Sequence, residues 1–170
     1  ACKYRVLSTS EKTKLAFPEI KLGIFPGFAG TIRAPKLIGL VNALDLILTG
    51  KTIDAKKAYK LKLADAIFDD AQKEFMLDDF VKKAIYGTLK ERNNFKLLNY
   101  APLNQIIFNK ALKGLEAKVN QDFKAPYVAL EVIKNTINKE TYNNTISSYY
   151  GHLKHTKNKK IINKIVKMKL

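Results

Sequence analysis

The chain has 170 residues, 46% of them hydrophobic, which suffices for a buried core and excludes general disorder. Its 31 lysines and arginines against 15 acids give a formal charge of +16, with arginine only at Arg5, Arg33 and Arg92. Cys2 is the single cysteine, so a disulfide framework and a cysteine-rich metal site are excluded. No apolar run is long enough for a membrane span or for the core of a secretory signal, and the expected setting is cytoplasmic.

Two short apolar segments, Tyr4 to Leu7 and Leu15 to Phe17, flank a polar stretch and predict two adjacent strands. Glu19 follows, just ahead of a turn-forming set: Gly23, Pro26, Gly27 and Gly30. An acid beside such a turn suits chemistry in which a carboxylate and a backbone N–H face one small ligand. A helix through Ile32 to Leu37 is expected next. Leu40, Leu44, Ile47 and Leu48 recur at helical spacing and stop at Thr49-Gly50. Thr52 or Asp54 is placed to cap a short helix through Ala55 and Ala58. Leu63 to Phe68 fits either a helix end or a brief strand.

From Asp70 to about Lys90 the pattern predicts a long helix, with Phe75, Phe80, Ile85 and Leu89 among its apolar residues. Asn104 is placed to cap another, which carries Ile107, Phe108, Ala111, Leu112 and Leu115. Pro126 suits the first turn of a helix with Ala129, Val132, Ile133 and Ile137. Ile161, Ile162, Ile165 and Val166 form the apolar stripe of a terminal helix. Two extended segments cannot complete a sheet covered on both faces, so the front of the chain reads as the end of something larger.

The remaining charged residues have plain readings. Asp65, Asp69, Asp70, Asp78 and Asp79 lack calcium-loop spacing, and His152 and His155 lack a third ligand, so no metal is expected. The lysines are scattered over polar faces, with one concentration at Lys154, Lys157, Lys159 and Lys160. With few arginines and no RNA-binding motif, specific nucleic-acid recognition is not expected.

The run from Pro18 to Arg33 resembles the P-E-x-x-L-G-x-x-P-G-x-G-G-T-x-R segment of the enoyl-CoA hydratase/isomerase, or crotonase, superfamily. Leu37-Ile38-Gly39, Ala43-Leu44, Thr49-Gly50, Ala55 and Ala58 continue the likeness, and Tyr4-Arg5 resembles the strand ahead of it. Pro26-Gly27-Phe28, Ala125-Pro126 and His152 to Thr156 are most similar to the hydratase/isomerase part of the fatty-acid oxidation alpha subunit. Two family glycines are replaced, by Ala29 and Lys62.

The resemblance implies an α/β fold: the C-terminal part of a crotonase-like ββα spiral, then a mainly helical region. Residues 1–69 would be the last part of the core, 70–157 the helical region and 158–170 a linker-like helix. It implies that Glu19 is the second catalytic glutamate, exchanging a proton at the carbon alpha to the thioester. Gly27 would hydrogen-bond the attacking water through its backbone. The substrate would be an acyl-CoA thioester, with no bound cofactor. The family's first glutamate, in a G-G-G-C-E segment, and its oxyanion hole are expected ahead of Ala1. The 170 residues are therefore expected to be inactive alone, and to associate with themselves or with that N-terminal portion. The rival readings are a subunit of a split enzyme and a lysine-rich helical module for nucleic acid or an anionic surface.

Overall fold

The computed structural model describes residues 3–89 and 96–137. The expectations for Cys2, Lys90, His152 to Thr156, Lys154 to Lys160 and the stripe at Ile161 to Val166 lie outside the described residues. The elements run β1 (Val6–Ser8), β2 (Lys14–Leu15), a 3-10 turn (Pro18–Leu22), α1 (Gly30–Ile38), α2 (Leu40–Thr49), β3 (Ile53–Asp54), α3 (Ala55–Lys60) and β4 (Ala66–Phe68). A second 3-10 turn (Asp70–Gln72), α4 (Lys73–Ile85), a third turn (Leu97–Asn99), α5 (Leu103–Lys118) and α6 (Ala125–Thr136) complete the described part. The fold is mixed α/β, with short strands in the front half and helices behind.

The two early segments are extended, but they do not pair with each other. β1 runs parallel to β4, with Val6 opposite Ala66, and β2 runs antiparallel to β3, with Leu15 opposite Ile53. The reason is an anchor between Arg5 and Asp65. The Arg5 N–H donates to Asp65 Oδ2 at 2.8 Å, and the Asp65 N–H donates to the Arg5 carbonyl at 2.7 Å. The guanidinium adds an ion pair to the same carboxylate at 3.1 Å and donates to the Leu63 carbonyl at 2.8 Å. This contact across 60 residues fixes the register and makes Ala66–Phe68 a strand.

α2 is the central helix. Leu40, Ala43, Leu44, Leu46 and Ile47 are buried, and they share one core with Ile38 of α1, Phe108 and Leu115 of α5, and Ala129, Val132 and Ile133 of α6. Gly50 ends α2 in the left-handed conformation, as the Thr49-Gly50 signal predicts. Asp54 caps α3, accepting from the Lys57 N–H. Asn104 does not cap α5. It sits within the helix, buried, and donates to the Asn99 carbonyl at 3.0 Å. α4 is shorter than expected, and its apolar residues are divided. Phe80 packs edge-on against Tyr4 and Phe68, whereas Phe75 and Ile85 are 81% and 74% exposed. Among the described residues no helix is long and apolar enough to cross a membrane.

Candidate functional site

Glu19 lies in the Pro18–Leu22 turn. Pro18 presets the first dihedral, and Gly23 closes the turn at a φ of 76°, donating to the Ile20 carbonyl at 3.1 Å. Ile20 is the anchor of this turn, 2% exposed and packed in the core with α2. The neighbouring glutamate is half-buried, and its Oε2 is enclosed with no hydrogen-bond partner among the described residues. An enclosed, unpartnered carboxylate oxygen is costly to stability, and such groups concentrate where function needs them.

Two glycines hold this segment by close approach. A Cβ on Gly30, at the start of α1, would come within 2.8 Å of Phe17 Cε1 and 3.1 Å of Pro26 Cβ. A Cβ on Gly50 would come within 2.8 Å of Ile20 Cγ2 and 3.2 Å of Lys21 Cγ and Cε. α1 and α2 therefore clamp the stretch bearing Glu19 from either side. Pro26 is buried, and Gly27 follows it, half-buried, in the turn leading to α1. An apolar hollow of about 300 Å³ opens between the two ladders, lined by Leu7, Leu15, Phe17, Leu46 and Ile53. Phe17, two residues before Glu19, forms part of its wall.

The acidic residues do not join this site. Asp65 holds Arg5, Asp69 caps a turn at the Ala71 N–H, and Asp70 accepts from Ser8 Oγ. Asp78 and Asp79 pair with Lys82 and Lys83 one turn on; the Asp78 hydrogen bond and charge raise the pKa of Lys82. Among the described residues no three His, Cys, Asp or Glu side chains come together as metal ligands.

The sequence model of the enoyl-CoA hydratase/isomerase family matches residues 1–168. The chain belongs to this family. It is 40% identical over 141 residues to the fatty acid oxidation complex subunit alpha of Vibrio parahaemolyticus, and 39% identical over 145 residues to that of Psychrobacter. These alignments cover 82% and 81% of this chain, and the chain spans about one fifth of each relative (20%). Among solved structures, the enoyl-CoA hydratase of Bacillus anthracis aligns at 22% identity and a TM-score of 0.46, over 99% of this chain and 52% of its own. That of Mycobacterium tuberculosis aligns at 18% identity and a TM-score of 0.44, over 80% and 52%.

Family membership gives meaning to the two replaced glycines. Ala29 and Lys62 are the non-glycine residues at positive φ among the described residues, at 62° and 63°. These are the two positions at which the sequence resemblance leads to an expectation of glycine, the residue that a left-handed backbone favours. Gly50 was legible in the sequence as a helix stop and as part of the family likeness; its further task, giving room to Ile20, depends on a contact across 30 residues. Asn99 left no local signal. It accepts from the Leu40 N–H at 2.8 Å and donates to the Pro35 carbonyl at 2.9 Å, bridging α1 and α2.

Proposed function

We propose that these 170 residues form the C-terminal portion of an enoyl-CoA hydratase/isomerase domain of fatty-acid oxidation, with Glu19 as its proton-exchanging carboxylate. The observation that carries the reading is the enclosed, unpartnered Oε2 of Glu19 within the Pro18 to Arg33 segment. In hydration of a trans-2-enoyl-CoA, water adds its oxygen at C3 and a proton arrives at C2, giving the 3-hydroxyacyl-CoA. Glu19 delivers that C2 proton while the attacking water passes one of its own to the second carboxylate, so the net addition is H and OH, and Glu19 takes the C2 proton back in the reverse direction or in a double-bond shift. The Gly27 backbone orients the water. The apolar hollow beside Phe17 suits a substrate with a hydrocarbon part.

Negative charge gathers on the thioester oxygen during addition, so the reaction needs oxyanion donors as well as a second carboxylate to hold the water. The G-G-G-C-E segment that supplies these in the family does not occur within residues 1–170. On this reading the 170 residues alone do not turn over, and they become competent when joined or complemented by a polypeptide carrying that segment. The test follows loss of the enoyl thioester absorbance of crotonyl-CoA. Activity is expected only in the complemented protein, with Glu19→Gln lowering it by about 10²-fold or more. Robust turnover that Glu19→Gln leaves unchanged would overturn the assignment.

A further inference from the structure

The parallel ladder of β1 and β4 has two strands of three residues each. So short a ladder is not stable by itself, and parallel sheets occur with both faces covered. The outer edge of β1 is open. The Thr9 N–H donates to the Phe68 carbonyl at 2.8 Å, and the Arg5 carbonyl accepts from the Asp65 N–H at 2.7 Å. The odd-numbered residues of this stretch therefore turn their backbone toward β4, and by alternation the N–H and C=O groups of Val6 and Ser8 point away from it. No other described strand pairs there, since β2 is joined to β3. A row of unpaired backbone groups is a template for a further strand.

Apolar surface flanks this edge on both faces. On one, Phe80 of α4 packs against Tyr4 and Phe68, with ring centroids 5.8 and 6.0 Å apart. The adjacent row of α4, Leu77, Val81 and Ile85 at intervals of four residues, is uncovered, at 37%, 43% and 74% exposure. On the other face, Leu7 lines the apolar hollow together with Phe17.

We propose that the outer edge of β1 receives a strand from the portion of the domain that carries the G-G-G-C-E segment, with the Leu77, Val81 and Ile85 row of α4 covering it. This rests on the reading of residues 1–170 as the C-terminal portion of such a domain, and it names the surface by which the two portions join. The chain spans 20% of the Vibrio parahaemolyticus subunit, so most of that relative lies outside the aligned stretch. A second copy of the chain would offer only another three-residue edge. The G-G-G-C-E portion also brings the second carboxylate and the oxyanion donors. Because Leu7 and Phe17 line one hollow, a strand beside β1 runs close to the stretch bearing Glu19.

The test co-expresses the 170-residue chain with the part of the Vibrio parahaemolyticus subunit that precedes the aligned stretch. Association is read by copurification, and amide exchange by NMR. A complex is expected, with exchange at Val6 and Ser8 at least about tenfold slower than in the chain alone. Val6→Pro removes an outward N–H and leaves the bonds to β4, a placement that edge strands accept, so the chain alone is expected to keep its helical circular dichroism. It is expected to weaken the complex at least about tenfold, and Val81→Lys to act in the same direction. Phe75→Ala, on the side of α4 away from Phe80, is expected to change nothing. Turnover of crotonyl-CoA is read separately: a complex that forms through this edge without turnover supports the pairing and removes the assigned reaction. No complex, an equally tight complex in Val6→Pro, or a dimer of the chain alone that Val6→Pro dissociates would overturn the proposal.

Discussion

Replacing Lys62 by glycine should stabilise the chain, and the structure says by how much. A left-handed backbone costs an L-residue about 1–2 kcal/mol. Glycine gives back about 0.4–1 kcal/mol of that through the greater freedom of its unfolded chain. Lys62 is exposed, so no burial is lost, and the net gain is about 0.5–1 kcal/mol. Ala29 shares the left-handed conformation but is 7% exposed. Its buried methyl contributes about 0.8 kcal/mol, so Ala29→Gly should come out near zero. Urea unfolding followed by far-UV circular dichroism measures both. For a chain of this size the Lys62→Gly gain corresponds to a rise in Tm of about 1–4 °C. A destabilised Lys62→Gly would refute the strain argument. An Ala29→Gly variant that gains as much as Lys62→Gly would refute the burial correction.

Gly50→Ala combines left-handed strain with a 2.8 Å approach to Ile20 Cγ2, and should destabilise by about 2–4 kcal/mol in the same assay. Gly30→Ala lacks the strain but meets the Phe17 ring, and should lose about 1–3 kcal/mol; a neutral result would mean that Phe17 is free to move aside. Asn99→Ala leaves the Leu40 N–H without its partner, while the Pro35 carbonyl keeps its bond from the Gly39 N–H, and a loss of about 1–3 kcal/mol is expected from thermal melts. Arg5→Ala removes the guanidinium's ion pair to Asp65 and its bond to the Leu63 carbonyl while the two backbone bonds of the anchor remain, so about 1–3 kcal/mol should be lost, with hydrogen exchange quickening first at Val6 to Ser8. Unchanged protection there would show that the ladder holds without its ion pair.

What the sequence determined by itself was local or motif-borne. Gly50 stopping α2, Asp54 capping α3 and Pro126 opening α6 each follow from dihedral or hydrogen-bond preferences within a few residues. The Pro18 to Arg33 run likewise identified the family, because the spacing of its glycines around one glutamate is held in a single stretch of chain. Tertiary structure alone decided what distant residues do for one another. It paired β1 with β4 through Arg5 and Asp65, and it moved Asn104 from an expected cap to a buried support for Asn99. It also set Gly30 and Gly50 against the two sides of the Glu19 segment. Periodicity tells which face of a helix is apolar but not which neighbour covers it, and so α4 kept Phe80 in contact while Phe75 and Ile85 stayed exposed. The physical reason is range: capping and turn energies act over a few residues, whereas packing and buried hydrogen bonds join groups that sequence distance does not relate.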